Sequence, residues 1–277
     1  MNKTRPGISS YTFPFACGTN KRLRPAEPLT PFTLIDQAVA YGLPVVQIAD
    51  NMPLETRSTT EIRRLKLYSQ ERGISLETGF RGIEPDRFMS RIRLTNLLES
   101  HLMRCVIDTP SFHPSISEVC SILKEVVPAL KEYKIVLGIE NHDRFYSREF
   151  ADMIETVGSR HVGIILDTAN SLANEESIGQ VLDSLAKYTV CFHVKDYTIR
   201  RRNGEMGFVI TGAPAGKGRL DIPYILKRLK KEAPGDFSTI LESWMESQPD
   251  PEETLNQEKS WADEGVAFLK SILGSDG

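Results

Sequence analysis

Apolar residues along the chain follow two alternating rhythms. Short runs rich in β-branched and aromatic residues recur from end to end: "GISSYTF" (7–13), "PVVQIAD" (44–50), "ISLETGF" (74–80), "RCVIDTP" (104–110), "KIVLGIEN" (134–141), "VGIILDT" (162–168), "TVCFHVKD" (189–196) and "STILES" (238–243). These eight runs predict strands. Seven segments with apolar residues at three- and four-residue spacing lie between them, and an eighth follows the last. In "TPFTLIDQAVAYGL" the spacing places Phe32, Ile35, Val39 and Leu43 on one helix face, and in "SREFADMIETVGSR" it does so for Phe150, Ile154 and Val157. Thr30 before Pro31, Ser147 before Arg148, and Thr59 or Thr60 before Glu61 read as helix N-caps.

Strictly alternating strand–helix units imply a parallel sheet with helices on its faces. Eight units in 277 residues predict closure into a (β/α)8 TIM barrel, one domain spanning residues 1–277. The rival is an open doubly wound sheet, but no Gly-x-Gly-x-x-Gly follows the first strand. One connection is much longer than the rest, residues 197–220, "YTIRRRNGEMGFVITGAPAGKGRL". A loop of that length in a compact domain is expected to be a lid.

Composition narrows the function. Apolar residues make up 40% of the chain and charged residues 26%, ample for a soluble core. The net charge of −3 disfavours a nucleic-acid partner, and the short basic run "IRRRN" (199–203) reads first as a solvated loop and second as an anion contact. No uninterrupted apolar stretch of 18 residues predicts a membrane span, and "MNKTRPGISSYTF" has no apolar core of signal-peptide length. Cys17, Cys105, Cys120 and Cys191 are scattered, which fits a reduced, cytoplasmic setting.

The chemistry begins at "CFHVKDY" (191–197), where a histidine, a lysine and an aspartate crowd one buried strand. Buried ionisable groups are costly unless paired or metal-bound. Glu140 ends "IVLGI", Asp167 ends "VGIIL", His193 follows "VCF" and Glu242 ends "TIL", so strands five to eight each deliver one ligand-type side chain late in the strand. In a parallel barrel those ends share one face. Singly, such a carboxylate is ordinarily a loop cap and such a histidine a hydrogen-bonded core residue. Together, three carboxylates would repel one another unless a divalent cation sits among them with the imidazole as a further ligand. Oxygen-rich ligation with one nitrogen suits Mn²⁺, Mg²⁺ or Co²⁺ and also admits Zn²⁺.

The motifs "GIENH" (138–142), "ILDTAN" (165–170), "FHVKD" (192–196), "GKGRLD" (216–221) and "ILES" (240–243), in that order and spacing, resemble the xylose isomerase-like TIM-barrel superfamily of sugar isomerases, ketose 3-epimerases, inosose dehydratases and endonuclease IV. The resemblance implies one divalent metal held by Glu140, Asp167, His193 and Glu242, with Glu140 and Glu242 as the acid–base pair of an isomerase or epimerase. The substrate implied is a small sugar or sugar acid. Physical chemistry agrees: removing a proton beside a carbonyl needs a base and a nearby cation. Many members carry a histidine three residues after the sixth-strand aspartate, and here that substrate-holding position is Asn170. With "SSYTFPFACG" (9–18) and "VVQIADNMPL" (45–54), the "DTAN" form is similar to a branch that includes 3-oxo-isoapionate decarboxylases, an alternative lyase chemistry.

Further substrate contacts are expected from Asn51 and Asp50 after strand two, from His142 and Asn141 after Glu140, and from Lys195, which either faces the pocket or pairs with Asp196. "GKG" (216–218) reads as a turn that frees the lid. Trp244, Trp261, Phe13 and Phe15 are expected in the pocket wall or the core. A homo-oligomer is compatible with all of this.

Overall fold

The two rhythms resolve into eight parallel strands closed on themselves. The computed structural model describes residues 1–19, 23, 25–142 and 144–274, so the expected domain of residues 1–277 reaches past the described residues at its end. The barrel strands are β1 (Thr4–Ser9), β2 (Val45–Ile48), β3 (Ser75–Arg81), β4 (Leu102–Val106), β5 (Val136–Glu140), β6 (Val162–Asp167), β7 (Thr189–Val194) and β10 (Phe237–Leu241). Each pairs in parallel with the next, and β10 closes on β1. The (β/α)8 barrel expected from the alternation is the observed fold.

Among the described residues eight α-helices surround it: α1 (Pro31–Ala40), α2 (Thr59–Glu71), α3 (Pro85–Leu97), α4 (Ile116–Tyr133), α5 (Ser147–Val157), α6 (Ile178–Leu185), α7 (Ile222–Glu232) and α8 (Pro251–Leu273). Serines start several of them. Ser58, Ser115 and Ser177 each accept the backbone N–H three residues on, while Glu61, Glu118 and Gln180 reach back to the cap. Thr30 caps α1 as expected. The caps expected at Thr59 or Thr60 and at Ser147 shift. Ser58 caps α2 because it completes the reciprocal pair with Glu61, and Ser147 is the first residue of α5, its N–H and hydroxyl both given to Glu176. The helix faces hold except at Val39, which is exposed; Leu34 and Ala38 turn inward beside Ile35 instead.

Most apolar side chains pack between the barrel wall and the helices. Inside the barrel the apolar plug is small: Val45, Leu102, Ile165, Cys191 and Ile240. A Cβ on Gly138 would meet Ile165 Cγ1 at 2.6 Å, so this strand position has room only for glycine. Above the plug, toward the carboxyl ends of the strands, the interior turns polar.

Two segments differ from expectation. The first strand ends at Ser9 rather than running to residue 13, because Ser9 accepts the N–H of Tyr11 and donates its own to Thr12, bending the chain into a single 3-10 turn. Residues 197–220 are not an irregular loop. They are mostly an antiparallel hairpin of β8 (Asp196–Arg201) and β9 (Phe208–Ala213) outside the barrel, on which the basic run lies exposed at the end of β8. No helix among the described residues is long and apolar enough to cross a membrane.

Candidate metal centre and cavity

Parallel pairing places the strand ends in register. Asp167 is the β-partner of His193, and His193 of Ile240, two residues before Glu242. Glu140, Asp167 and His193 offer ligand atoms that all lie within 4.8 Å of one another, each residue at most 1% exposed. Glu242 joins them through His193, whose Nδ1 stands 3.5 Å from both Glu140 Oε2 and Glu242 Oε1. Three of the four side chains singled out in the sequence thus converge, and Glu242 borders them beside His193 and Lys195.

Their remaining contacts are specific. Asp167 Oδ1 accepts the N–H groups of Ala169 at 2.8 Å and Asn170 at 2.9 Å. Asn170 Nδ2 donates to Glu140 Oε1 at 2.9 Å, so the residue in place of the usual histidine orients a carboxylate. Ser9 Oγ donates to Glu242 Oε1 at 3.0 Å. Lys195 Nζ bridges Asp167 Oδ2 at 2.7 Å and Glu242 Oε2 at 3.0 Å. It does not pair with Asp196, whose carboxylate takes the backbone N–H groups of Tyr197, Gly216, Gly218 and Leu220. The "GKG" turn is therefore pinned rather than freed, and a Cβ on Gly218 would collide with that same carboxylate.

Several contributors come from strands in which the sequence singled out no ligand. Arg104 on β4 is 2% exposed; its Nε donates to Glu140 Oε2 at 2.5 Å and its Nη1 pairs with Asp50, which also meets Arg81 Nε at 3.3 Å. Gln47 on β2 faces His193, with 2.8 Å between Oε1 and the imidazole Nε2. Its amide nitrogen donates to Glu77 Oε2 on β3 at 3.0 Å. The signal was a polar residue inside each apolar run, the same anomaly that marked "CFHVKDY".

Burial opposes charge on these acids, but their partners prevail. Against that burial, the Arg104 guanidinium and the Lys195 ammonium hold Glu140 well below the usual carboxylate range. Glu242 is lowered in the same direction against its burial, with Lys195 and Arg104 beside it. Lys195, though buried, is pushed up by Asp167, Glu242 and Glu140 and stays an ammonium. Three carboxylates therefore face two fixed cations, an imbalance that a divalent ion would offset.

The donor set fits such an ion. His193 Nδ1 is buried without a hydrogen-bond partner, and Asp167 Oδ2 and Glu242 Oε2 are buried with the Lys195 ammonium as their ion partner. Ligand atoms about 2.1 Å from one octahedral cation stand roughly 3–4 Å apart, close to the 3.5 Å separations found here.

A cavity of about 730 Å³ opens above the cluster, a size common for small-molecule sites. Lys195 and Asn170 line it together with Tyr11, Phe15, His142, Ser243 and Trp244, and Ile210 of the hairpin reaches its rim. Asn141 instead braces the backbone, accepting the N–H of Asp167 and donating to Ser171. Asn51 gives its amide to Ser10 and Thr19 and does not line the cavity. Trp261 packs with Phe15, Leu23 and Met245, while Phe13 lies in the main core.

Comparison with known proteins agrees with this architecture. The model of a family described as xylose isomerase-like TIM barrel matches residues 35–272. A 3-oxo-isoapionate decarboxylase of Pectobacterium atrosepticum is 27% identical over 263 residues, 95% of this chain and 94% of the relative. Among solved structures, D-psicose 3-epimerase in the presence of D-fructose aligns with a TM-score of 0.70 at 15% identity, covering 98% of this chain and 100% of that one. The IOLI protein with a binding zinc atom aligns with a TM-score of 0.69 at 14% identity, covering 98% and 99%.

Proposed function

The chain belongs to the xylose isomerase-like TIM-barrel family, and from that premise we propose a divalent-metal-dependent enzyme that moves a proton at the carbon beside the carbonyl of a small polyhydroxy substrate. The observation that carries this reading is the convergence of Glu140, Asp167 and His193 in one buried cluster, with Glu242 completing it through His193. Those four residues would hold the ion. When bound, it would supply the positive charge that polarises a carbonyl and acidifies the neighbouring C–H.

The chain's own residues do the rest. Glu140 and Glu242 flank His193, each kept ionised by its surroundings and so able to accept a proton. In the proposed reaction one carboxylate removes the proton, and the C–H electron pair becomes the C=C bond of an enediolate as the carbonyl π pair moves onto oxygen. That carboxylate, now protonated, returns the proton at the adjacent carbon, or the other carboxylate, protonated from solvent, delivers one at the opposite face. Arg104 and Ser9 fix the two carboxylates, while Asn170 and His142 offer polar groups to substrate hydroxyls. The hairpin β8–β9 serves as the lid. Only its outer part is free to close, since Asp196 anchors its base. Trypsin cleavage after Arg200, Arg201 or Arg202 should slow when metal and substrate are present; equal cleavage would remove the lid from the account.

A second reading is favoured by Lys195, an ammonium at the floor of the cavity that could meet a substrate carboxylate. It is decarboxylation of a 3-oxo sugar acid, in which C–C cleavage leaves the electron pair in an enolate that a single proton donor quenches. A mass-spectrometric product screen with Mn²⁺, against ketoses and 3-oxo sugar acids in D₂O, separates the two. Deuterium beside the carbonyl of a product of unchanged carbon count supports proton transfer. Deuterium only in a product one carbon shorter, with CO₂ released, replaces it by the lyase. Turnover that persists in protein verified as metal-free would sink both.

A further inference from the structure

We infer that Gln47 and Glu77 form a positioning chain that sets the tautomer of His193 from beneath the site and so creates its cation-binding nitrogen. The inference rests on the metal reading above and adds two residues that lie in the first half of the barrel, away from the cavity.

Gln47 is fully buried and Glu77 is 3% exposed, both inside the barrel. They are β-partners across β2 and β3, and Gln47 reaches over the barrel axis to β7. A glutamine amide has one donor end and one acceptor end. Here the donor end is committed, because Gln47 Nε2 lies 3.0 Å from Glu77 Oε2 and 3.7 Å from Cys191 Sγ. The acceptor Oε1 therefore faces His193 Nε2 at 2.8 Å, and that imidazole nitrogen must carry the hydrogen.

The consequence falls on the other nitrogen. With the hydrogen on Nε2, Nδ1 presents a lone pair toward Glu140 Oε2 and Glu242 Oε1, each 3.5 Å away, and has no hydrogen-bond partner. Three lone-pair-bearing atoms converging in a buried space repel one another unless a cation lies among them. Were the amide reversed, its NH₂ group would face Nε2, the hydrogen would move to Nδ1, and the ring could no longer act as a ligand there. Glu77 as a carboxylate opposes the reversal, because it accepts from the NH₂ end of Gln47.

Two measurements test this. In metal-free wild-type protein, long-range ¹H–¹⁵N correlation of the histidine rings should show His193 as the Nε2–H form, assigned among the five histidines by its loss in His193→Gln. Calorimetric titration with Zn²⁺ or Mn²⁺ should show Gln47→Leu binding about 10–100-fold more weakly than wild type, the usual cost of losing a partner of a metal-binding histidine. The double exchange Gln47→Glu with Glu77→Gln keeps an acceptor facing Nε2 and a donor at position 77, and should bind more tightly than Gln47→Leu. A merely structural role would not distinguish these variants. If Gln47→Leu fails to fold, Gln47→Met keeps the volume without the acceptor. An Nδ1–H form in the wild type, or a Gln47 variant that binds metal as tightly as wild type, overturns the inference. A wild type that binds no ion defeats the metal reading instead, and the tautomer still decides this one.

Discussion

The two halves of the barrel bring different chemistry to the same buried cluster. The ends of β5, β6, β7 and β10 deliver Glu140, Asp167, His193 and Glu242. The strands β2, β3 and β4 and the turn after β2 deliver Gln47, Glu77, Arg81, Arg104 and Asp50, which neutralise or orient the first set. A cluster of buried carboxylates is tolerable only because another part of the sheet supplies charge and hydrogen bonds to hold it. Activity should therefore be most sensitive to substitutions in the second half, and stability to substitutions in the first.

Arg104→Met gives the largest effect on stability. It leaves Glu140 buried without its ion partner and removes one of two arginines from Asp50. Breaking such a pair from one side should lower unfolding free energy by about 3–5 kcal/mol in urea titration. A loss below about 1 kcal/mol would mean that the halves are not coupled in this way. Glu140→Gln and Glu242→Gln act in the opposite sense. Each should cut turnover at least ~10²-fold while leaving the fold intact, as loss of a general acid or base does. Parallel kinetics and thermal melts on these variants read both quantities at once.

Glu258 on α8 serves as a control outside both halves. It is 1% exposed and accepts the N–H groups of Phe15 at 2.7 Å and Ala16 at 2.9 Å. Burial pushes its carboxyl up to about 7 from an ordinary 4.5. The folded chain thus holds a proton that the unfolded chain releases, so its contribution is fully present below about pH 4.5, declines as pH rises, and is gone above about pH 7. At about 1.4 kcal/mol per pH unit this amounts to up to about 3.5 kcal/mol. Glu258→Gln should flatten that segment of the stability profile without altering metal affinity.

Lys195 is the cation that the second half supplies for itself, and its effect should be the smallest. Its ammonium occupies the edges of Asp167 and Glu242 that an ion would also use. In Lys195→Met those carboxylates lose their counter-charge, so added Mn²⁺ or Zn²⁺ should raise the melting temperature more than in wild type. An equal or smaller rise would show that lysine and metal do not share those oxygens.

The contrast also explains what could be read from the chain alone. Glu140, Asp167 and Glu242 each end an apolar run, which places them at the mouth whichever way the strand faces. Gln47, Glu77 and Arg104 sit within their strands. A parallel strand buried on both faces has no alternation to tell inward from outward, so their roles stayed hidden. The barrel itself was legible because alternating rhythms depend on local spacing. The hairpin was not, because "YTIRR" and "FVITG" are separated by a polar, glycine-containing tip and lie outside the barrel register. The end of β1 and the caps of α2 and α5 turned on single side-chain hydrogen bonds among several candidate serines and threonines.

The most direct test of the account is a titration of metal-stripped protein with Mn²⁺, Mg²⁺, Co²⁺ and Zn²⁺, with stoichiometry checked by elemental analysis. The account predicts one ion per chain, and markedly weaker binding in His193→Ala with the barrel still folded by circular dichroism. No binding of any of the four ions by wild type, or a His193→Ala variant that binds as tightly as wild type, would contradict it.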